Sequence, residues 1–251
     1  YELATVLKPA IIVYKKIIEI SGAEKIWAAG CDLCDGMIVD YAERQEQIKP
    51  AHYFAEDIIS YARTVAARYE SNKEHTENVE KTALAIFDGI KKRAGLDQRD
   101  GILLQMACIL HDCGKYISMG NVAECSYQII MSTDIIGLSS LERKMIASAV
   151  RYNTSSFGDY EELQMMGAGI DRESYIKIAK MTAILRLANA MDRSHCQKVK
   201  GIKTVLKDRE LQMVMDSTQD ISLELGLLKD KVAFFEEVFG IRLVLRRKGR
   251  A

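Results

Sequence analysis

The chain has 251 residues, 48% hydrophobic and 28% charged, and its 35 basic side chains balance 35 acidic ones. That apolar share excludes a disordered chain, and zero net charge excludes the general electrostatic footprint of a nucleic-acid or membrane binder. Only 2 prolines occur, and Leu, Ile, Ala, Lys and Glu are abundant, so a mainly α protein of one large domain or two modest ones is predicted.

Residues 3–21 predict a first helix that Gly22 stops, with Pro9 near its start or kinking it. Lys25–Ala29 predicts a strand, and Gly36–Tyr41 a strand or the start of a helix. The polar run 42–50 (AERQEQIKP) closes on Pro50 and is the expected linker. Helix then follows helix to about residue 196. Asp57–Tyr69 comes first, then Glu74–Arg93, stopped by Gly95. Asp97, with Asp100 three residues on, caps a helix running to about His111. Ser139–Tyr152, capped by Ser139 or Ser140, and Glu173–Arg193 complete the helical stretch. From Gly201 the apolar period changes to two. Ile202–Leu206 and Leu211–Asp216 predict a hairpin turning at Asp208-Arg209, Leu223–Phe239 a helix and Ile241–Leu245 a last strand. The expected domains are therefore 1–49, an α/β remnant plus linker; 50–197, a helical domain; and 198–251, a small α/β domain. No apolar run reaches the roughly 20 residues of a membrane span, and no leader pattern opens the chain. The six cysteines are scattered, and Cys31 and Cys34 have knuckle spacing without a second pair. A cytoplasmic protein with reduced thiols is expected.

The chain has 4 histidines. His111 and Asp112 stand together at a predicted helix end, followed by Cys113 and Gly114. His111 falls four and eight residues after Ala107 and Leu103, on the apolar face. His75 opens a helix on the stripe Val79, Ala83, Ile86, Phe87 and Ile90. Asp192 follows Ala188 and Ile184 by four and eight, so its carboxylate also turns inward. A buried carboxylate is costly unless paired or metal-bound. Two imidazoles and two carboxylates from three helices suit one divalent cation (Mn, Fe, Ni, Zn or Mg) with room for water. Asp112 is then either a ligand or the acceptor of a proton from that water. Lys115, Arg151 and Arg193 are candidate phosphate contacts, and His195, three residues past Asp192, a candidate partner behind the ligands.

His75, His111-Asp112 and Asp192, in that order on helices, match the pattern of the HD superfamily of metal-dependent phosphohydrolases. More specifically, the chain resembles the C-terminal half of the exopolyphosphatase/guanosine pentaphosphatase (Ppx/GppA) family. The stretches that carry the likeness run from His75 to Val79, Leu84 to Asp88, Ala107 to Gly114, Ile146 to Tyr152 and Leu185 to Ser194. The resemblance implies an HD-type helical domain and a phosphohydrolase whose ligand is polyphosphate or a guanosine penta- or tetraphosphate. It also implies a homodimer. Residues 7–41 resemble the end of that family's second actin-like lobe, and the polyphosphate-hydrolysing cleft of the family lies in such N-terminal lobes. One departure matters: no histidine lies between Asp112 and Asp192, so a two-metal centre lacks ligands and one metal is expected. The alternative is a non-catalytic module that binds polyphosphate or nucleotide and dimerises. A local basic stripe of Lys198, Lys200, Lys203, Arg246, Arg247 and Lys248 offers it a polyanion surface.

Overall fold

The computed structural model describes residues 2–25, 30, 33–45, 54–165 and 169–247. It divides into two compact units, Tyr1–His52 and Tyr53–Ala251. The described residues are mainly helical, with one small three-stranded sheet.

The first unit holds α1 (Glu2–Ser21), with Pro9 inside it, and α2 (Leu33–Arg44). Gly22 ends α1 with φ 67°, a backbone state that costs glycine nothing. Gly36–Tyr41, read as a strand or helix start, is helical. Residues 26–29 of the expected strand, and Cys31, Pro50 and His52, lie outside the described residues.

The second unit opens with α3 (Phe54–Arg68), α4 (Lys73–Ala94) and α5 (Gln98–Leu110). After α5 come a single turn of 3-10 helix (Cys113–Tyr116), α6 (Val122–Met131) and α7 (Ser140–Arg151). The short α8 (Tyr160–Met165) precedes α9 (Arg172–Ala190). Helix α3 starts at Phe54 rather than Asp57, and α9 ends at Ala190 rather than Arg193. The starts of α4, α5 and α7 fall where predicted, to within a residue, because the caps are real. Asn72 accepts from the His75 N–H, and Asp97 and Ser139 each close a reciprocal capping box with Asp100 and Glu142. Gly95 turns the end of α4 with φ 65°.

Helix α5 is the centre of the unit. From Leu103 to Leu110 only Gln105 escapes burial, so it is apolar nearly all round, as a core helix must be. Helices α3, α4, α7 and α9 pack around it. Polar ties cross these contacts. Arg63 on α3 donates to both Glu80 oxygens on α4 at 2.7 and 2.9 Å, and Gln105 adds a 2.7 Å bond to the same carboxylate.

Strands β1 (Gly201–Lys207) and β2 (Glu210–Asp216) form the predicted hairpin, with Asp208 at φ 51° in the turn. Helix α10 (Ser222–Phe239) returns the chain so that β3 (Arg242–Arg247) pairs parallel to β2, in register from Glu210↔Arg242 to Met215↔Arg247. Leu211, Met213 and Met215 alternate inward on β2. Leu211, Met213 and Leu243 of the sheet, with Leu228 and Phe235 of α10, share one hydrophobic core with the helices. Strand β1 lies on α4: Thr204 Oγ donates to Ala85 O at 2.8 Å, and Gly89 leaves the space that Thr204 fills.

Neither α6 nor α8 was predicted. The core face of α6 begins with a polar residue, Ser126, fully buried beside Ile129 and Ile130. Its apolar period is too short to read.

Candidate metal centre

Three separate pieces of backbone deliver the polar cluster. The cap at Asn72 fixes the first turn of α4 through a 3.0 Å bond to the His75 amide, and His75 is fully buried there. Helix α5 ends at Leu110, with His111 as its C-cap and Asp112 next. The chain turns at once into the 3-10 segment, where Gly114 meets the start of α6. The Gly114 amide donates to Ser126 Oγ at 2.8 Å, and that hydroxyl donates to the His111 carbonyl at 3.0 Å. One serine thus holds the backbone on both sides of Asp112.

His75 Nε2 and His111 Nε2 face each other at 3.2 Å. Asp112 stands over the pair, its carboxylate oxygens 3.9 Å from His75 Nε2 and 3.6 Å from His111 Nε2. One ligand atom from each of the three residues lies within 4.8 Å of the others, a spacing that can hold a metal ion. Asp192, read from the sequence as a fourth ligand, lies on the other nitrogen of His75. It accepts from Nδ1 at 2.8 Å. Its carboxylate also accepts the Gln197 amide at 2.8 Å and the Gln197 side chain at 3.2 Å.

The tautomers follow from these partners. His75 Nδ1 meets a carboxylate, and His111 Nδ1 meets the Cys108 carbonyl at 2.7 Å. Both acceptors require an N–H, so both Nδ1 atoms carry hydrogen and both lone pairs fall on Nε2. Two lone pairs directed at each other at 3.2 Å, under a carboxylate, repel unless a proton or a cation lies between them.

The electrostatics favour the unprotonated ligands. Burial is the main cause that lowers the His111 pKa to about 4, with Asp112 opposing it and His75 adding to it. Burial alone would push the Asp112 carboxyl up. His111, the Lys115 hydrogen bond and charge, and His75 together outweigh it and leave Asp112 below the ordinary carboxylate range. Lys115 Nζ is bonded to Asp112 Oδ2. Burial pushes the Cys113 thiol up to about 11, so it stays neutral and does not compete as a thiolate.

The imidazole of His195 stacks on His75, with ring centroids 3.7 Å apart and 15° between planes. The loop that carries Asp192 and His195 is tied to α10 by Ser194 Oγ, which donates to Glu224 at 2.6 Å. A His–His–Asp centre on a helical scaffold, with a carboxylate behind one imidazole, narrows the family. Residues 60–232 match the family model of the Ppx/GppA phosphatase, domain III. The chain belongs to the Ppx/GppA phosphatase family.

Two curated relatives agree. This Ppx/GppA region is 28% identical over 188 residues to a guanosine-5'-triphosphate,3'-diphosphate pyrophosphatase of Aeromonas hydrophila, covering 74% of this chain and 36% of that protein. It is 26% identical over 184 residues to the protein of the same name from Aeromonas salmonicida, covering 73% and 35%. The chain therefore spans about a third of the length of these relatives. Among the described residues, no helix is long and apolar enough to cross a membrane.

The remaining candidates of this Ppx/GppA domain fall elsewhere. Arg151 at the end of α7 pairs with Glu124 of α6 at 2.8 Å and lies over Tyr127. Arg193, although next to Asp192, lines a cleft that shares no residue with the His75 cluster. In the basic stripe, Lys198 pairs with Glu224, and Arg247 donates to the Ser217 and Gln219 carbonyls. Lys248 lies outside the described residues. Sequence reasoning missed Ser126 and Gln197, both polar residues without a motif. It also missed Arg186, whose signal was a charge inside the apolar run Ile184–Ala188.

A pH dependence follows for the metal-free protein. The lowered His111 pKa means that the unfolded ring takes up a proton before the folded ring does. The stability contributed by the neutral ring is complete above about pH 6.5 and is lost as pH falls toward about 4. Urea unfolding in EDTA should show this decline in the wild type and a flatter one in His111→Gln. Identical slopes in the two proteins would remove His111 as the cause.

Proposed function

We propose that this region is the HD-type helical domain of a Ppx/GppA phosphohydrolase, and that it binds one divalent cation and a phosphate-bearing ligand. The whole protein would hydrolyse phosphoanhydride bonds of the kind found in guanosine pentaphosphate or polyphosphate. The names of the two relatives support that class. The observation that carries the metal reading is the pair of facing Nε2 lone pairs with both Nδ1 atoms already committed.

His75, His111 and Asp112 would hold the ion, which would be Mn, Fe, Ni, Zn or Mg. Asp192 is the carboxylate behind His75 that fixes its tautomer and raises its basicity. His195 keeps the His75 ring from turning and covers it from solvent. When bound, a divalent cation supplies Lewis acidity toward a phosphoryl oxygen. Asp112 has one oxygen, Oδ1, near His111 and the other on Lys115. The Oδ1 side can accept a proton from an attacking water, while Lys115 would leave its ion pair with Oδ2 to place its ammonium on a phosphate oxygen. Residues 1–49 would be the end of an actin-like lobe, and the domain would work as a cytoplasmic homodimer.

A second reading has its own support. The Lys115–Asp112 ion pair occupies one oxygen of the carboxylate that would take a proton from water, as expected of a centre that binds without turnover. Metal analysis of the purified chain followed by a phosphatase assay separates the two. Metal with phosphate release supports the enzyme, metal without release the binding module, and absence of metal after reconstitution rejects both. Asp192→Asn should weaken metal binding about 10- to 100-fold, the usual effect of removing an outer carboxylate. Unchanged affinity would take Asp192 out of the site.

A further inference from the structure

We infer that the domain carries a second anion site, separate from the His75 cluster, in the cleft between the end of α7, the C-terminal half of α9 and the middle of α10, and that its ligand class is inorganic phosphate or pyrophosphate-type groups. The cleft has a volume of about 200 Å³ and is lined by Arg186, Arg193, Lys231, Asn153, Thr154 and Asn189, with two aliphatic residues beside them. None of the lining residues is acidic, so three cations face one small space in a chain of zero net charge.

Arg186 is the anchor. Its side chain is buried, yet it makes no ion pair with any described residue. Nε donates to the Tyr152 carbonyl at 2.8 Å, Nη2 to the Ser155 carbonyl, and its guanidinium lies 4.3 Å from the Phe234 ring centroid. These contacts fix the plane of the fork but neutralise nothing. Burying an uncompensated charge is costly, and burial is what lowers the Arg186 pKa. The planar fork still has N–H donors to offer. Asn153, 5% exposed, has a buried side-chain oxygen without a hydrogen-bond partner. Arg193 and Lys231 make no ion pair or hydrogen bond with a described residue. The Asn153 oxygen is an acceptor and calls for a donor. The anion is called for by the buried arginine without a counter-ion, which faces the cleft with two further cations and no acidic residue. A single carboxylate would satisfy one cation. Phosphate brings two charges and several acceptor oxygens, which matches two guanidinium groups, an ammonium, a hydroxyl and two amides.

The test is calorimetric titration of the 251-residue chain with pyrophosphate in EDTA, so that no ion in the His75 cluster contributes. Saturable one-site binding is expected. The surface double variant R193A/K231A should bind about tenfold more weakly or worse, with an unchanged melting temperature. Asn153→Asp, which keeps the shape but places a negative charge against the ligand, should do the same. His111→Ala should leave this binding intact, so loss of the metal reading would not touch the inference. Absence of saturable binding, or variants that bind as well as the wild type, would overturn it. So would binding of long polyphosphate without binding of pyrophosphate, which would mean diffuse attraction to surface charge.

Discussion

Removing His111 should abolish the response of this domain to metal. A cation present at about 100 times its dissociation constant stabilises the folded state by about 2.7 kcal/mol. For a unit of this size that raises the melting temperature by roughly 5–10 °C. Wild-type protein, stripped with EDTA and titrated with Mn, Ni or Zn, is expected to show the rise. His111→Ala should show none, because one of the two facing Nε2 donors is gone and the remaining His75 and Asp112 cannot complete the cluster. The loss should exceed that of Asp192→Asn, since a direct donor matters more than the carboxylate behind it. A wild type whose melting temperature ignores every divalent cation would show that a proton, not a metal, sits between the rings.

Gly114→Ala should cost stability of about 1–3 kcal/mol or more, the range for overpacking a filled interior. A Cβ there would fall 2.2 Å from the Val122 carbonyl oxygen and 2.5 Å from the Ser126 amide, both backbone atoms that cannot rotate away. The φ of Gly114 is not in the left-handed region, so the cost is one of space alone. The start of α6 would have to retreat and would take Ser126 from the Gly114 amide and the His111 carbonyl. The variant should therefore lose metal affinity as well as stability. Gly120→Ala is the control, since its Cβ would meet only Ser118 Oγ at 4.0 Å, and thermal melts should place it within about 0.5 kcal/mol of wild type. Equal melting temperatures for the two variants would refute the steric account.

Much of the second unit was legible because its helices announce themselves locally. Asp97, Asp100 and Gly95 mark ends, and polar His75, His111 and Asp192 break apolar stripes where only a partner justifies them. What stayed hidden depends on which atom of a residue is used. A sequence places Asp192 on an inward face, but not on Nδ1 of His75 rather than beside Nε2. Arg193 directly follows Asp192 in the sequence, yet both lie past the end of α9 at Ala190, in a turn where adjacent side chains need not share a face, and the guanidinium lines another cleft. Helix α6 escaped because its buried face is led by a serine whose value is hydrogen bonding. In Gly36–Tyr41 the apolar residues Met37, Ile38 and Val39 are consecutive, a run that periodicity cannot assign to helix or strand. All three are exposed on α2.

The His75 contacts also bear on how the domain comes to exist. His75 meets His111 across 36 residues and Asp192 across 117. Each is a loop whose closure entropy must be met before the contact returns anything. Contacts of such long separation slow folding and form together with the global topology. During synthesis from the N-terminus, the two imidazoles emerge well before the carboxylate that fixes one of them. Until the chain has passed residue 192, His75 Nδ1 lacks its acceptor and the ring is free to take the other tautomer. The centre is therefore a late product of folding, complete only when the end of α9 has docked.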